Sequence, residues 1–144
     1  MTRLARGFTL VELLIVIAII GVIAAIAVPQ YGDYVTRSKL TEAFATLSEH
    51  RVKMEQFFQD NRTYVGACTA GTVAPPPTGR YFTYACSNLT ATTFTVTATG
   101  VTAQGTGGFV YTVNQANTRA TTGVATGWNG AGSSCWVTNK AGGC

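Results

Sequence analysis

The chain predicts an α+β fold, in which a long N-terminal helix packs on a small antiparallel β-sheet head closed by disulfides. Three observations carry that prediction. Every residue from Leu13 to Val28 is apolar or glycine, and from Gln30 onward the pattern turns amphipathic at helical spacing. After residue 80, short runs alternate apolar and hydroxyl side chains, as half-buried strands do. All four cysteines, Cys68, Cys86, Cys135 and Cys144, fall after the helical part.

A basic stub, Met1-Thr-Arg-Leu-Ala-Arg6, leads into Gly7-Phe8-Thr-Leu-Val-Glu12 and the apolar run, which Pro29 ends. A helix from Phe8 to Val28 would be roughly 30 Å long, about the thickness of a bilayer core. Glu12 stands out in it. A carboxylate inside a spanning helix costs about 2.5–3.5 kcal/mol even on lenient scales, so such residues are candidates for function. A secretory signal peptide, with Ala25-Ile26-Ala27 as its cleavage site, accounts for the apolar run, and so does a plain single-pass anchor. Neither accounts for Glu12 beside Gly7-Phe8.

This stretch resembles the prepilin signature of type IV pilins and their secretion-system relatives. The resemblance implies that a membrane peptidase cuts after Gly7, that the new N-terminal Phe8 is methylated, and that the apolar helix stays on the mature chain. Cleavage creates a positive α-amino group at Phe8, and a buried charge is tolerable only when paired. The resemblance then implies an assembly contact between Glu12 of one subunit and the Phe8 amine of its neighbour. The alternative is a Glu12 that snorkels alone to the interface. Gly21 costs about 1 kcal/mol against Ala inside a helix, and Pro29 removes a hydrogen bond and crowds the preceding turn. A continuous, bent helix is expected in the isolated subunit. The resemblance implies that the segment from Gly21 to Pro29 can lose helical form in a pilus.

Beyond Pro29, Leu40, Phe44, Leu47, Met54 and Phe58 recur at helical spacing, with Tyr31 and Val35 ahead of them. Arg37, Lys39, Glu42, Glu49, Arg51, Lys53 and Glu55 lie between and read as a solvated face. Glu49 and Lys53 stand in the favourable order for an intrahelical pair. The helix should end near Asp60-Asn61. A connection from Arg62 to Gly79 follows, and its Pro75-Pro-Pro77 excludes helix and sheet interior. Strands are expected over Tyr81–Cys86, Thr93–Thr99 and Phe109–Asn114, then a turn at Gln115-Ala-Asn117 and a short fourth strand near Arg119 to Thr122. Cys135-Trp-Val137 reads as a last short strand. In the second strand Phe94, Val96 and Ala98 should face the core, leaving a hydroxyl-rich outer face. The expected organisation is thus 1–7 leader, 8–28 transmembrane and polymerisation helix, 29–61 amphipathic helix half, and 62–144 disulfide-stapled β head.

Arg3 and Arg6 should hold the N-terminus in the cytoplasm and send the head across the membrane, into a compartment where disulfides persist. Four cysteines allow three pairings, among which sequence alone does not choose. Nearest-neighbour pairing, Cys68–Cys86 and Cys135–Cys144, is the expectation because each closes a short loop. The second loop also resembles the C-terminal disulfide-bounded segment of many type IV pilins. Zinc is not expected: there is no C-x-x-C, and His50 is the sole histidine, read as an exposed helix residue.

After Asp60 the chain contains no Asp, Glu or His, which removes carboxylate acid–base pairs, Ser-His-Asp triads and carboxylate metal sites from the head. No enzyme activity, cofactor or small-molecule substrate is expected. Charged residues are 11% of the chain and the formal net charge is +4, falling to +2 once Arg3 and Arg6 leave, too little for a dedicated nucleic-acid binder. The resemblance implies a structural subunit of a type IV pilus, with the stretch Gln56 to Tyr64 similar to the helix end of a minor-pilin subgroup. Its implied partners are copies of itself and related pilins, the prepilin peptidase and methylase, and the inner membrane before assembly. The implied location is that membrane and then an extracellular filament serving adhesion, motility or DNA uptake. A pseudopilin of a type II secretion system is an alternative, which the lack of acidic head residues for calcium disfavours. A DNA-binding tip pilin is another, through Arg80, Arg119 and Lys140 with Tyr81, Trp128 and Trp136.

Overall fold

The computed structural model describes residues 8–144; the expected leader, with Arg3, Arg6 and Gly7, lies outside the described residues. The elements in order are α1 (Leu10–Asn61), β1 (Phe82–Ser87), β2 (Thr95–Gly100), a 3-10 turn (Thr102–Gln104), β3 (Val110–Asn114) and β4 (Arg119–Gly123). The chain comprises two compact units, one ending at Val35 and one running from Thr36 to Cys144.

In the first unit α1 passes through Gly21 and Pro29 without interruption. Its most apolar window has a mean hydropathy of 3.0 and none of it is buried among the described residues. A core helix of a water-soluble protein hides such a face; here Ile15, Ile19, Ile23 and Ile26 are all exposed. By length and composition the segment is able to cross a membrane.

The second unit packs the rest of α1 on a four-stranded antiparallel meander in the order β1-β2-β3-β4. The register aligns Tyr84, Ala98, Tyr111 and Thr121 across the inner face. Phe94, Val96 and Ala98 are fully buried, as the alternation predicts, while Thr95, Thr97 and Thr99 face outward. On α1 the buried seam is Leu40, Ala43, Leu47, His50, Met54 and Phe57, with Phe44 and Phe58 only partly buried beside it. Leu40, Leu47 and Met54 of the expected stripe lie in this seam, and Phe44 and Phe58 pack against its edge. A small residue (Ala43) and a polar one (His50) occupy two turns of the seam. Tyr31, which the stripe included, is exposed.

Tyr111 sits at the centre of the head. Its ring meets Phe44 edge-on at 5.0 Å and lies 6.0 Å from Phe82 and 6.2 Å from Phe109. Its hydroxyl donates to the Val137 carbonyl at 3.0 Å, and burial pushes its pKa up. α1 ends without glycine: Arg62 takes a left-handed φ of 56° and its N–H donates to Phe58 O, while Asn61 Nδ2 donates to Phe57 O. The predicted turn after β3 is present, with Asn117 at φ 56° and Asn114 Oδ1 accepting from the Thr118 N–H.

The segment Cys135–Val137 is not a strand, contrary to expectation. Gly130 and Gly132 hold left-handed φ values of 97° and 84°, which break the approach, and only Thr121 and Ser133 form a bridge. The buried Thr121 hydroxyl replaces the ladder, donating to Cys135 O at 2.7 Å and accepting from Val137 N–H at 3.0 Å. The disulfides are Cys68–Cys86 and Cys135–Cys144, with Cα–Cα distances of 6.4 and 6.0 Å.

Candidate functional site

The N-terminal end of α1 is a capping box. In Thr9-Leu-Val-Glu12 the Thr9 hydroxyl accepts from the Glu12 N–H at 3.2 Å, and Glu12 Oε2 accepts from the Thr9 N–H at 3.2 Å and the Thr9 hydroxyl at 3.1 Å. Two otherwise orphaned N–H groups are satisfied, and the carboxylate sits where the helix dipole favours negative charge. The S/T-x-x-E spacing of Thr9 and Glu12 is the sequence signal for this box. The box folds the carboxylate back onto the Thr9 N–H and hydroxyl, next to Phe8, a residue that is 86% exposed. Glu12 and Phe8 therefore stand within about one turn of each other, with Gly7 outside the described residues. Along the apolar shaft, a Cβ added at Gly21 would meet nothing within 4 Å, so no packing among the described residues demands glycine there.

The face read as solvated is in part a docking edge for the head. Glu42 reaches across from α1 to the start of β1. Its Oε1 accepts from the N–H groups of Tyr81 (2.9 Å) and Phe82 (3.2 Å), and its Oε2 from that of Arg80 (3.1 Å). The approach is so close that a Cβ on Gly79 would lie 2.5 Å from Glu42 Oε1. Lys39 donates to Gln104 O at 2.7 Å, and Glu55 accepts from the Tyr64 hydroxyl at 3.2 Å. Glu49 and Lys53 do pair, at 2.7 Å, where they were expected to.

His50 is 2% exposed rather than an exposed helix residue. Its Nε2 lies 3.1 Å from Cys68 Sγ and 3.6 Å from Cys86 Sγ, against the first disulfide. Burial pushes the imidazole pKa down to about 4, with the nearby Lys53 charge adding to the effect. A neutral ring is therefore held at pH 7. The seam spacing 40, 43, 47, 50, 54, 57 places His50 inside, and a reading that followed period rather than polarity would have found it.

The residues proposed for a DNA patch do not form one surface. Arg80 stacks over Tyr81 at 5.4 Å, at the start of β1. Arg119 stacks over Trp136 at 4.6 Å, at the start of β4. The register places Phe82 beside Gly100 and Arg119 beside Val113, so the two pairs stand at opposite edges and opposite ends of the sheet. Trp128 is buried edge-on against Phe109 at 4.8 Å, and Trp136 stacks on Phe44 with its Nε1–H donating to Thr112 O. Both tryptophans are chiefly core, although Trp136 also lines a shallow cleft with Phe44, Ser48 and Arg119.

Residues 2–28 match the prokaryotic N-terminal methylation motif, and residues 29–108 match the family described as type IV minor pilin ComP, DNA uptake sequence receptor. Fimbrial protein EcpC of Eikenella corrodens is 37% identical over 67% of this chain and 63% of its own length. The type IV major fimbrial protein FimA of Dichelobacter nodosus is 43% identical over 55% of this chain and 45% of its own. The type IV major pilin protein PilE1 of Neisseria gonorrhoeae is 37% identical over 56% and 51%. The chain thus spans less than two thirds of the length of these relatives. Among solved structures, the non-core minor pilin PilV of Neisseria meningitidis superposes with a TM-score of 0.52 at 22% identity, over 65% of this chain and 93% of that one, which supports the fold. With a methylation motif over its N-terminus and the minor-pilin match covering more than half of its length, the chain belongs to the type IV pilins, in the ComP minor-pilin family.

Proposed function

We propose that this chain is a structural subunit of a type IV pilus. On this reading it is cleaved after Gly7, methylated at Phe8, held in the inner membrane by its apolar helix, and then packed through that helix into a surface filament with other pilins. The observation that carries the reading is an apolar helix face with no cover among the described residues, headed by a carboxylate fixed within one turn of Phe8. In a membrane lipid covers that face, and in a filament neighbouring helices do. Cleavage at Gly7 gives Glu12 a partner of opposite sign, the Phe8 amine of the next subunit, in surroundings where an unpaired charge is costly. Gly21 and Pro29 are the positions where the shaft would soften in the filament.

Glu12→Ala, expressed as the only copy, tests the assembly contact. The mutant should enter the membrane and be cleaved as wild type is, because the change removes a cost of insertion. It should appear in sheared filaments at a small fraction of the wild-type amount. Normal filaments made wholly of mutant subunits would refute the pairing role.

A second reading is favoured by the family description, which names a DNA uptake sequence receptor. Here the cleft lined by Arg119 and Trp136 offers a cation beside an aromatic residue, while Arg80 and Tyr81, at the far corner of the sheet, take no part. Binding would be modest and would weaken as salt rises, with a shallow slope because few phosphates are neutralised. A binding titration at two salt concentrations, with Arg119→Ala as control, separates this from a purely structural head. Binding unchanged by Arg119→Ala would count against this surface.

A further inference from the structure

Tyr81 carries two cations on one ring. Lys39 Nζ, from the first turn of the α1 seam, lies 5.5 Å from the ring centroid, and the Arg80 guanidinium lies 5.4 Å from it. Like charges gathered this closely repel unless an anion stands nearby. The acid that reaches this corner, Glu42, accepts instead from the backbone N–H groups of Arg80, Tyr81 and Phe82. Among the described residues neither cation forms an ion pair. Lys39 gives one of its three N–H groups to Gln104 O, and the exposed Arg80 keeps its planar guanidinium fork open. Arg37, also exposed, adds a third positive charge two residues before Lys39.

The place of the cluster in the chain identifies the anion. Arg37 and Lys39 follow Val28, the last residue of the apolar run, by nine and eleven residues. Tyr31 and Tyr34 fall in that interval, 70% and 72% exposed and three apart on one face of the helix. Exposed tyrosines directly after an apolar span are side chains that settle at headgroup level, with the ring in the apolar boundary and the hydroxyl in water. Cations that follow such a belt attract anionic lipid.

We propose that Lys39, Arg80 and Arg37 bind the phosphate of an anionic phospholipid, such as phosphatidylglycerol, on the side of the membrane that carries the head. The proposal rests on the reading of the chain as a membrane-held subunit. A tether of eleven residues keeps the cluster beside that surface in any arrangement of the two units. The contact steadies the head against the bilayer in the unassembled pool and is given up when the subunit leaves the lipid for the filament. Nucleic acid fits this corner less well. A ring that already carries two cations has no free face for a base, and the cluster lies at the opposite corner of the sheet from Arg119 and Trp136.

The test reconstitutes the full chain in phosphatidylcholine vesicles containing a trace of spin-labelled phosphatidylglycerol or spin-labelled phosphatidylcholine. Electron paramagnetic resonance reads the fraction of each probe held at the protein, and the ratio of the two is the lipid preference. Wild type should favour phosphatidylglycerol by about fivefold at low ionic strength, the effect of one cation near a charged surface, and lose that preference as salt rises. Arg80→Gln, at an exposed position, should lower the ratio, and Lys39→Gln with Arg80→Gln should bring it to about one. Glutamine at position 39 still has an N–H to offer Gln104 O. Arg62→Gln removes an equal charge beyond the far end of α1 and should leave the ratio unchanged. An equal ratio in wild type and the double variant would overturn the proposal. So would a double variant that keeps its lipid preference but loses binding of a DNA duplex, which would assign the cations to nucleic acid. Flotation of the vesicles separates this failure from that of the underlying reading. A chain that does not float is not membrane-held, and both fall; a floating chain without lipid preference overturns the lipid site alone.

Discussion

Replacing Glu42 by alanine should loosen the head from its helix. The Glu42 carboxylate accepts three backbone N–H groups, from Arg80, Tyr81 and Phe82, at 2.9–3.2 Å. A hydrogen bond to a charged group contributes about 1.5–3 kcal/mol when buried, but this site is only partly buried and water can re-solvate the freed N–H groups. The three together are therefore assigned about 2–3 kcal/mol rather than their simple sum. For a domain of this size 1 kcal/mol moves the midpoint by roughly 4–8 °C, so Tm should fall by on the order of 10 °C. Near-UV circular dichroism of the full chain in detergent reads head packing through Tyr111 and Trp136. Glu42→Gln keeps one acceptor oxygen and should recover part of the loss. Melting of Glu42→Ala within about a degree of wild type would show that these bonds contribute nothing net and that the β1 start is held by packing alone.

Three further perturbations follow from the head and its staples. His50 has a folded pKa of about 4 against an ordinary 6.5, so the unfolded chain takes the proton first as pH falls. Stability from its neutral burial is complete above pH 6.5 and is lost between 6.5 and about 4, by at most about 3 kcal/mol. His50→Gln should flatten Tm against pH in that window; an unchanged slope would assign the acid sensitivity to other groups. Replacing Cys135 or Cys144 by serine should cost about 2–4 kcal/mol in chemical denaturation, and free thiols in the unreduced wild type would contradict the pairing. Thr121→Val removes the hydroxyl that bonds Cys135 O and Val137 N–H and should cost about 2 kcal/mol, visible as faster proteolysis of the C-terminal segment.

The architecture was legible because its signals were periodic. The apolar run, the alternation in Phe94, Val96 and Ala98, and the Asn-containing turn at 114–117 each rest on local chemistry that tertiary structure did not override. The expected pairing, chosen for its short loops and, for Cys135–Cys144, for its resemblance to the pilin C-terminal segment, is the one present. What failed were inferences that classed residues by polarity. His50, Glu42 and Lys39 read as solvated because they are polar, yet each is used at the helix–head seam; helical period places His50 there, whereas for Glu42 and Lys39 only the three-dimensional partner reveals the need. Cys135–Val137 looked extended, but its partner was a side-chain hydroxyl that no strand pattern encodes. The basic-aromatic patch failed for a topological reason, since residues grouped by type fell at opposite corners of the sheet. Part of the Glu12 site is encoded locally, in the capping-box spacing from Thr9.

The central claim, that the helix is kept on the mature chain to build a filament, is tested most directly by the mass of the protein recovered from sheared surface filaments. The account predicts a chain that begins at Phe8, carries one added methyl group, and retains the whole apolar segment with both disulfides closed. A chain beginning at Val28, cut after Ala27 as a signal peptide would be, would contradict it.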